Sequence, residues 1–320
     1  MIKKVAATAV LFVLVAAGIW AVSRNEKPAE NPARLQVSAS YYPLYEFARH
    51  VGGDRVQVTN MTPAGAEPHD FEPAARDLAD AGRSKVFVYN GGSFEPWAAK
   101  FAQSYAGIPV RASEYISLKQ GGHEDHAGEH AQESGAHQED EHDRAATDPH
   151  FWLDPVLARQ IINNIRDGLT KADPEHAGEY ARNASAYNKQ LIQLDQEFRD
   201  GLKQCQQRTV VVSHQSMSYL AARYNLTVEA VAGLSPESEP SAARVAELAQ
   251  LVKTQNIKYI LFESLVSPRL ADTIAKETGA ATLALDPIEG LTDEEANAGK
   301  NYLSIQRENL GNLRRALSCQ

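Results

Sequence analysis

Three histidines lie far apart in this 320-residue chain, and each follows the same sort of local punctuation. His69 follows Glu67-Pro68, His150 follows Asp148-Pro149, and His214 follows the β-branched run Thr209-Val210-Val211-Val212 with Ser213. Imidazoles delivered by separate segments suit one transition-metal ion held where they converge. Each proline fixes the backbone approach to its histidine and lowers the entropy lost on binding. Three ring nitrogens need a fourth donor to complete a tetrahedron. Glu263, Asp286 and Glu289 are the candidates, and Glu289 precedes Gly290, where backbone can come close to an ion. Any of these acids could instead orient an imidazole N–H, or cap a helix. A single loop histidine is ordinarily a surface or hydrogen-bonding residue; the coincidence of three is what points to metal. His50 and His176, placed on helices beside charged residues, read as solvated.

Between the first two histidines runs a tract, Gly121 to Asp143, crowded with His, Glu and Asp. Residues 120–147 hold five imidazoles and eight acids against one base, Arg144, and so carry −7 of the net charge of −9. The tract is too polar to bury anything and is expected to be disordered, collecting the same ion loosely. The rest of the chain is nearly neutral, with no basic stripe for nucleic acid.

The elements that must position these residues follow an α/β rhythm. Strands are predicted at Leu35–Ala39, Val56–Asn60 and Lys85–Asn90, with helices at Leu44–Val51, Ala74–Arg83 and Glu95–Tyr105. In the second half, strands are predicted at Thr209–Ser213, Thr227–Val231, Tyr259–Phe262 and Ala281–Leu285. Helices are predicted there at Met217–Tyr224, Ala242–Gln255, Pro268–Thr278 and Asn297–Leu317. Asp154 should cap a helix that takes Pro155 in its first turn. From Pro174 to about Gln204, Tyr180, Tyr187, Leu191, Leu194, Phe198 and Leu202 form one apolar stripe on one long helix.

The expected fold is therefore α/β: two lobes, each a mostly parallel sheet flanked by helices, joined by one long rigid helix. The expected boundaries are 35–173 for the first lobe, 174–204 for the linking helix and 205–320 for the second lobe. Ligands of parallel sheets bind beyond the carboxyl ends of the strands, which places all three histidines at one cleft between lobes.

Residues 1–34 read as an export signal or an uncleaved membrane anchor with a short leader. Lys3 and Lys4 precede 18 apolar residues, Val5 to Val22, and Ala21-Val22-Ser23 offers a cleavage site. No Cys follows the run, which excludes lipid attachment there. Export implies an oxidising compartment, so Cys205 and Cys319 are expected to pair and tie the last helix to the start of the second lobe. Two separate thiols are the alternative.

Six segments together resemble the high-affinity zinc-binding proteins of bacterial ABC transporters. They are Tyr41-Tyr42-Pro43-Leu44-Tyr45, the run 65–73 around Glu67-Pro68-His69-Asp70, and the run 148–155 around His150-Phe151-Trp152. The others are the runs 233–240, 262–268 and 287–292, the last containing Glu289. The resemblance extends in order from Leu35 to Leu317. It implies two α/β lobes with zinc in the cleft, delivered as a monomer to an ABC permease outside the cytoplasm. By position it implies His69, His150 and His214 as ligands, with Glu289 as the acid in the late loop. A His-rich insertion before the second ligand is typical of zinc-importing members. Many relatives carry a lipid-modified Cys near the N-terminus, and this chain departs from them there.

Manganese-importing relatives replace one His with a carboxylate; three nitrogens and one carboxylate favour zinc. A zinc hydrolase would keep an open position for water beside a base, and four protein donors close it. No His-Glu-x-x-His helix is present. A surface adhesin on the same fold is the remaining rival.

Overall fold

The computed structural model of the protein describes residues 34–121, 147–237, 240–267 and 269–320. The expected signal or anchor and the body of the His-rich tract lie outside the described residues.

The first sheet is built from β1 (Leu35–Ala39), β2 (Val56–Asn60), β3 (Val86–Tyr89) and β4 (Ile108–Arg111), in the order β2-β1-β3-β4. The second is built from β5 (Thr209–Val212), β6 (Thr227–Ala230), β7 (Tyr259–Phe262) and β8 (Ala281–Ala284), in the order β6-β5-β7-β8. Every pairing is parallel, with Val37 opposite both Val58 and Val86, and Val211 opposite Glu229 and Ile260. In both sheets the strand order reverses direction beside the first strand, which opens a crevice at the carboxyl edge. β4 is the strand that periodicity misses: four residues containing Pro109 give almost no pattern. It lies at the sheet edge, where a proline is tolerated.

The helices are α1 (Tyr42–Gly52), α2 (Ala75–Ala81), α3 (Pro96–Ser104), α4 (Pro155–Ala172) and α5 (Ala177–Gly201). They continue with α6 (Ser218–Tyr224), α7 (Ala242–Thr254), α8 (Arg269–Thr278), α9 (Asp293–Asn297) and α10 (Tyr302–Ala316). Asp154 caps α4 as expected, accepting from Val156 N–H at 2.8 Å with Pro155 in the first turn. The closing helix expected from Asn297 to Leu317 begins later, at Tyr302, and Asn297 instead ends the short helix α9. Gly299 turns the chain at φ 69°, and Asn301 starts α10 afresh by accepting from Ser304 N–H at 3.0 Å.

α5 spans 25 residues after a 3-10 turn at Pro174–His176. Its stripe of Tyr180, Tyr187, Leu191, Leu194 and Phe198 is buried, as is Leu202 beyond its end. The helix is no free strut between lobes: it packs on α1, α4 and α10 inside one core that draws Phe47, Trp152, Ile161, Tyr302 and Leu313 from both halves. Each such side chain contributes about 1.5–3 kcal/mol by burial. A smaller cluster, including Val211, Leu248, Ile260 and Ile274, seals the outer face of the second sheet under α7 and α8. Residues Leu35–Gln320 thus form one compact unit. Cys205 and Cys319 are disulfide-bonded, and the C-terminal tail pairs with residues 204–207 through Gln207 N–H to Leu317 and Gln320 N–H to Gln204.

Candidate metal centre

The segment after β2 carries His69, His150 stands directly before a 3-10 turn at Phe151–Leu153, and Ser213-His214 leaves β5. Glu289 stands on the loop after β8. These four, and no other group of such residues among those described, bring one donor atom each to within 4.8 Å of all the others. His150 Nε2 lies 3.3 Å from His69 Nε2 and 3.3 Å from His214 Nε2. Glu289 Oε1 lies 3.4, 3.2 and 3.4 Å from the Nε2 atoms of His69, His150 and His214. Donors at about 2.0–2.1 Å from a central ion, set at tetrahedral corners, are about 3.3–3.4 Å apart. Five of the six edges match that spacing, and the sixth, between His69 and His214, lies within 4.8 Å. His150, His214 and Glu289 are fully buried, and His69 keeps 9% of its side chain exposed, so the centre opens on the His69 side.

The outer nitrogens explain how the rings are aimed. His150 Nδ1 lies 2.8 Å from Asp148 Oδ1, and His214 Nδ1 lies 2.7 Å from Glu263 Oε1. Each carboxylate takes an N–H there, which leaves the Nε2 lone pair facing the centre. Glu263 also accepts the backbone N–H of His214 at 3.2 Å. Phe94 meets His69 edge-on at 4.5 Å between centroids, and Trp152 lies 5.2 Å from His150.

Three lone pairs and a carboxylate oxygen converging in this way repel one another unless a cation or protons lie among them. The titration of the metal-free centre reflects that. Burial pulls His214 down, but Glu263 and then Glu289 outweigh it and lift the ring to about 10. His150 is likewise raised against burial by its bonds to Asp148 and Glu289, while burial keeps His69 below its usual value. Burial would raise Glu289, yet the three imidazoles hold it well below the usual carboxylate range. Protons and a metal ion therefore compete for one cavity.

Of the three acids that the sequence leaves open, the structure brings only Glu289 among the histidines. Glu263 is spent on His214. Asp286 is turned away, accepting from Ser264 Oγ and from Ile288 N–H. The control histidines are engaged elsewhere: His50 with Glu46 at 3.2 Å and stacked on Tyr187, His176 with Asp173 at 2.7 Å. Sequence reasoning missed Asp148 as the orienting acid of His150. The signal was present, because an acid stands two residues before a histidine across a proline in both Glu67-Pro68-His69 and Asp148-Pro149-His150. In both, the acid accepts the backbone N–H of that histidine at 3.0 Å. Asn90, on the chain leaving β3, braces the second of these turns by donating to Pro149 C=O at 3.1 Å.

Comparison with known proteins places the chain. The Streptococcus pneumoniae (strain R6) "Zinc-binding lipoprotein AdcA" is 38% identical over 293 residues, covering 91% of this chain and 57% of that protein. The chain thus spans little more than half the length of this curated relative. The Bacillus subtilis "High-affinity zinc uptake system protein ZnuA" is 36% identical over 287 residues, covering 89% of this chain and 88% of that one. The crystal structure of the Zn(II)-bound ZnuA-like domain of Streptococcus pneumoniae AdcA superposes with a TM-score of 0.74 at 35% identity, over 89% of this chain and 99% of that domain. Residues 37–316 match the family described as ZnuA, zinc-uptake complex component A, periplasmic, and the chain belongs to that family.

Proposed function

We propose that the chain is an extracytoplasmic zinc-binding protein that captures Zn2+ between its two lobes and delivers it to an ABC permease for import. His69, His150, His214 and Glu289 hold the ion, which is cargo and not a resident cofactor. One observation carries this reading: five of the six distances among the four acceptor atoms are 3.2–3.4 Å, the edge length of a zinc tetrahedron, and all four atoms lie within 4.8 Å of one another. The relatives' names, a zinc-binding lipoprotein and a zinc-uptake protein, support the same cargo.

Residues 35–173 form the first lobe of this carrier, 174–204 its connector and 205–320 its second lobe. The first lobe supplies His69 and His150, the second His214 and Glu289, so a bound ion joins the two. Three imidazoles with one carboxylate favour zinc over the harder manganese ion. Four protein donors leave no place for the water that a hydrolytic zinc activates, and the reading is capture without turnover. The carrier works as a monomer on the outer side of the cytoplasmic membrane, retained or exported by residues 1–34.

Metal analysis of the purified protein, after exposure to equal zinc and manganese, tests the cargo. One zinc per chain in wild type, lost in His214→Ala, is the expected result. Manganese in preference to zinc, or zinc retained at full occupancy by His214→Ala, overturns it.

A further inference from the structure

The acid-proline turn that carries His69 and His150 occurs again at Asp286, one of the three candidate acids. In Asp286-Pro287-Ile288, Asp286 Oδ1 accepts the N–H of Ile288 at 2.6 Å, across a proline as Glu67 and Asp148 do. Here the residue so held is Ile288, and the metal-facing side chain is the next one, Glu289. Ile288 has φ 56°, a left-handed conformation that a β-branched residue adopts only under constraint. It is fully buried.

The constraint comes from three sides. Asn309 of α10 grips Asp286 at both backbone atoms, accepting its N–H at 2.8 Å and donating to its C=O at 2.7 Å. Ser264, one residue past Glu263, donates its hydroxyl to Asp286 Oδ2. Trp152 Nε1 donates to Pro287 C=O at 2.8 Å, reaching across from the first lobe. The carboxylate of Asp286 thus joins the N–H of Ile288 to Ser264, just past the end of β7.

We infer that Asp286 is a positioning residue: it holds Ile288 in its left-handed conformation and so aims Glu289 at the three imidazoles. The inference rests on Glu289 being the fourth donor. Without the clamp, Ile288 relaxes to a favourable φ and swings the Glu289 carboxylate off the tetrahedral corner.

The test is a set of variants measured in the full chain: zinc affinity by competition with a chelator, and metal-free melting temperature. Asp286→Ala should weaken zinc binding by about 10–100-fold, the range for groups that orient metal ligands. Asp286→Asn keeps an oxygen for Ile288 N–H and an amide for Ser264 Oγ, and should bind within about 3-fold of wild type. In a Glu289→Ala background the Asp286→Ala loss should vanish, because both act through one contact. A residue serving stability alone would lower the melting temperature without that coupling. If Asp286→Ala does not fold, Ser264→Ala decides, with an expected loss of about 2–5-fold that also disappears beside Glu289→Ala. Wild-type affinity in Asp286→Ala, or in Ser264→Ala where the former does not fold, overturns the inference; so does an undiminished loss without Glu289. Wild-type affinity in Glu289→Ala alone overturns the ligand set instead.

Discussion

Asp148 and Glu263 give the centre its direction. Each fixes one ring by an Nδ1–H bond under 3 Å, and each is buried with the histidine it orients. Removing either leaves a histidine free to rotate or to present the wrong tautomer. Asp148→Ala and Glu263→Ala should each weaken zinc binding by about 10–100-fold, and Glu263→Gln less, since an amide oxygen still accepts the N–H. Chelator competition measures this; unchanged affinity in both alanine variants would remove these acids from the account. The same centre predicts how binding responds to pH. His214 is lifted to about 10 in the metal-free centre and His150 is raised too. Zinc must displace those protons, so affinity falls as pH falls, by about tenfold per unit for each proton released. The decline should already be under way at pH 8, well above the ordinary histidine value of about 6.5. Titration calorimetry between pH 8 and 5 checks it, and constant affinity over that range contradicts the three-imidazole shell. In the metal-free protein the sign reverses. The raised His214 stabilises the fold fully below the unfolded value of about 6.5, and that contribution is lost as pH rises through about 10.

Elements with long, regular periodicity were legible in the sequence, and those defined by a single contact were not. The α5 stripe reads directly because Tyr180, Tyr187, Leu191, Leu194 and Phe198 recur on one face and all end up buried. Leu194→Ala should therefore cost about 2–5 kcal/mol, seen as a lower denaturation midpoint, since the core around it draws on both lobes. A change under about 0.5 kcal/mol would place that face at solvent. β4 was illegible because four residues with a proline carry no alternation, and the later start of α10 because it is set by single residues, the turn at Gly299 and the cap at Asn301. The three histidines were legible as candidates from their punctuation. The choice of Glu289 over Glu263 and Asp286 was not legible from spacing, since all three follow strands of the second sheet; the neighbouring Gly290 and the resemblance pointed to it. Only the geometry separates an acid that faces the rings from one that binds His214 and one that binds Ile288.

Across the whole molecule, a shared core joins the two halves, and a long closed loop ties the second half to itself. The Cys205–Cys319 bond has a sequence separation of 114 and encloses all four strands of the second sheet. Replacing both cysteines with serine should lower stability by about 2–5 kcal/mol, read by denaturant unfolding, while leaving zinc affinity within error because the bond lies at the far end of β5 from His214. Lost zinc binding in a folded Cys205→Ser/Cys319→Ser protein would contradict that separation. The His-rich tract leaves the body at a paired stem: Gln120 and Thr147 form an antiparallel bridge, and Asp148 N–H donates to Lys119 C=O at 2.9 Å. Tyr219 of α6 locks the stem by accepting from Lys119 N–H and donating to Asp148 C=O, both at 2.8 Å. A short turn can replace the tract without disturbing Asp148 or His150.

That stem makes the central claim directly measurable. Zinc titration of a chain lacking Gly121 to Asp143, beside the same chain carrying His214→Ala, isolates the buried centre from any loose sites. One tight zinc per molecule is expected in the first, at the affinity of the intact chain, and none in the second. A tight site that disappears with the tract, or that survives His214→Ala unchanged, contradicts the claim.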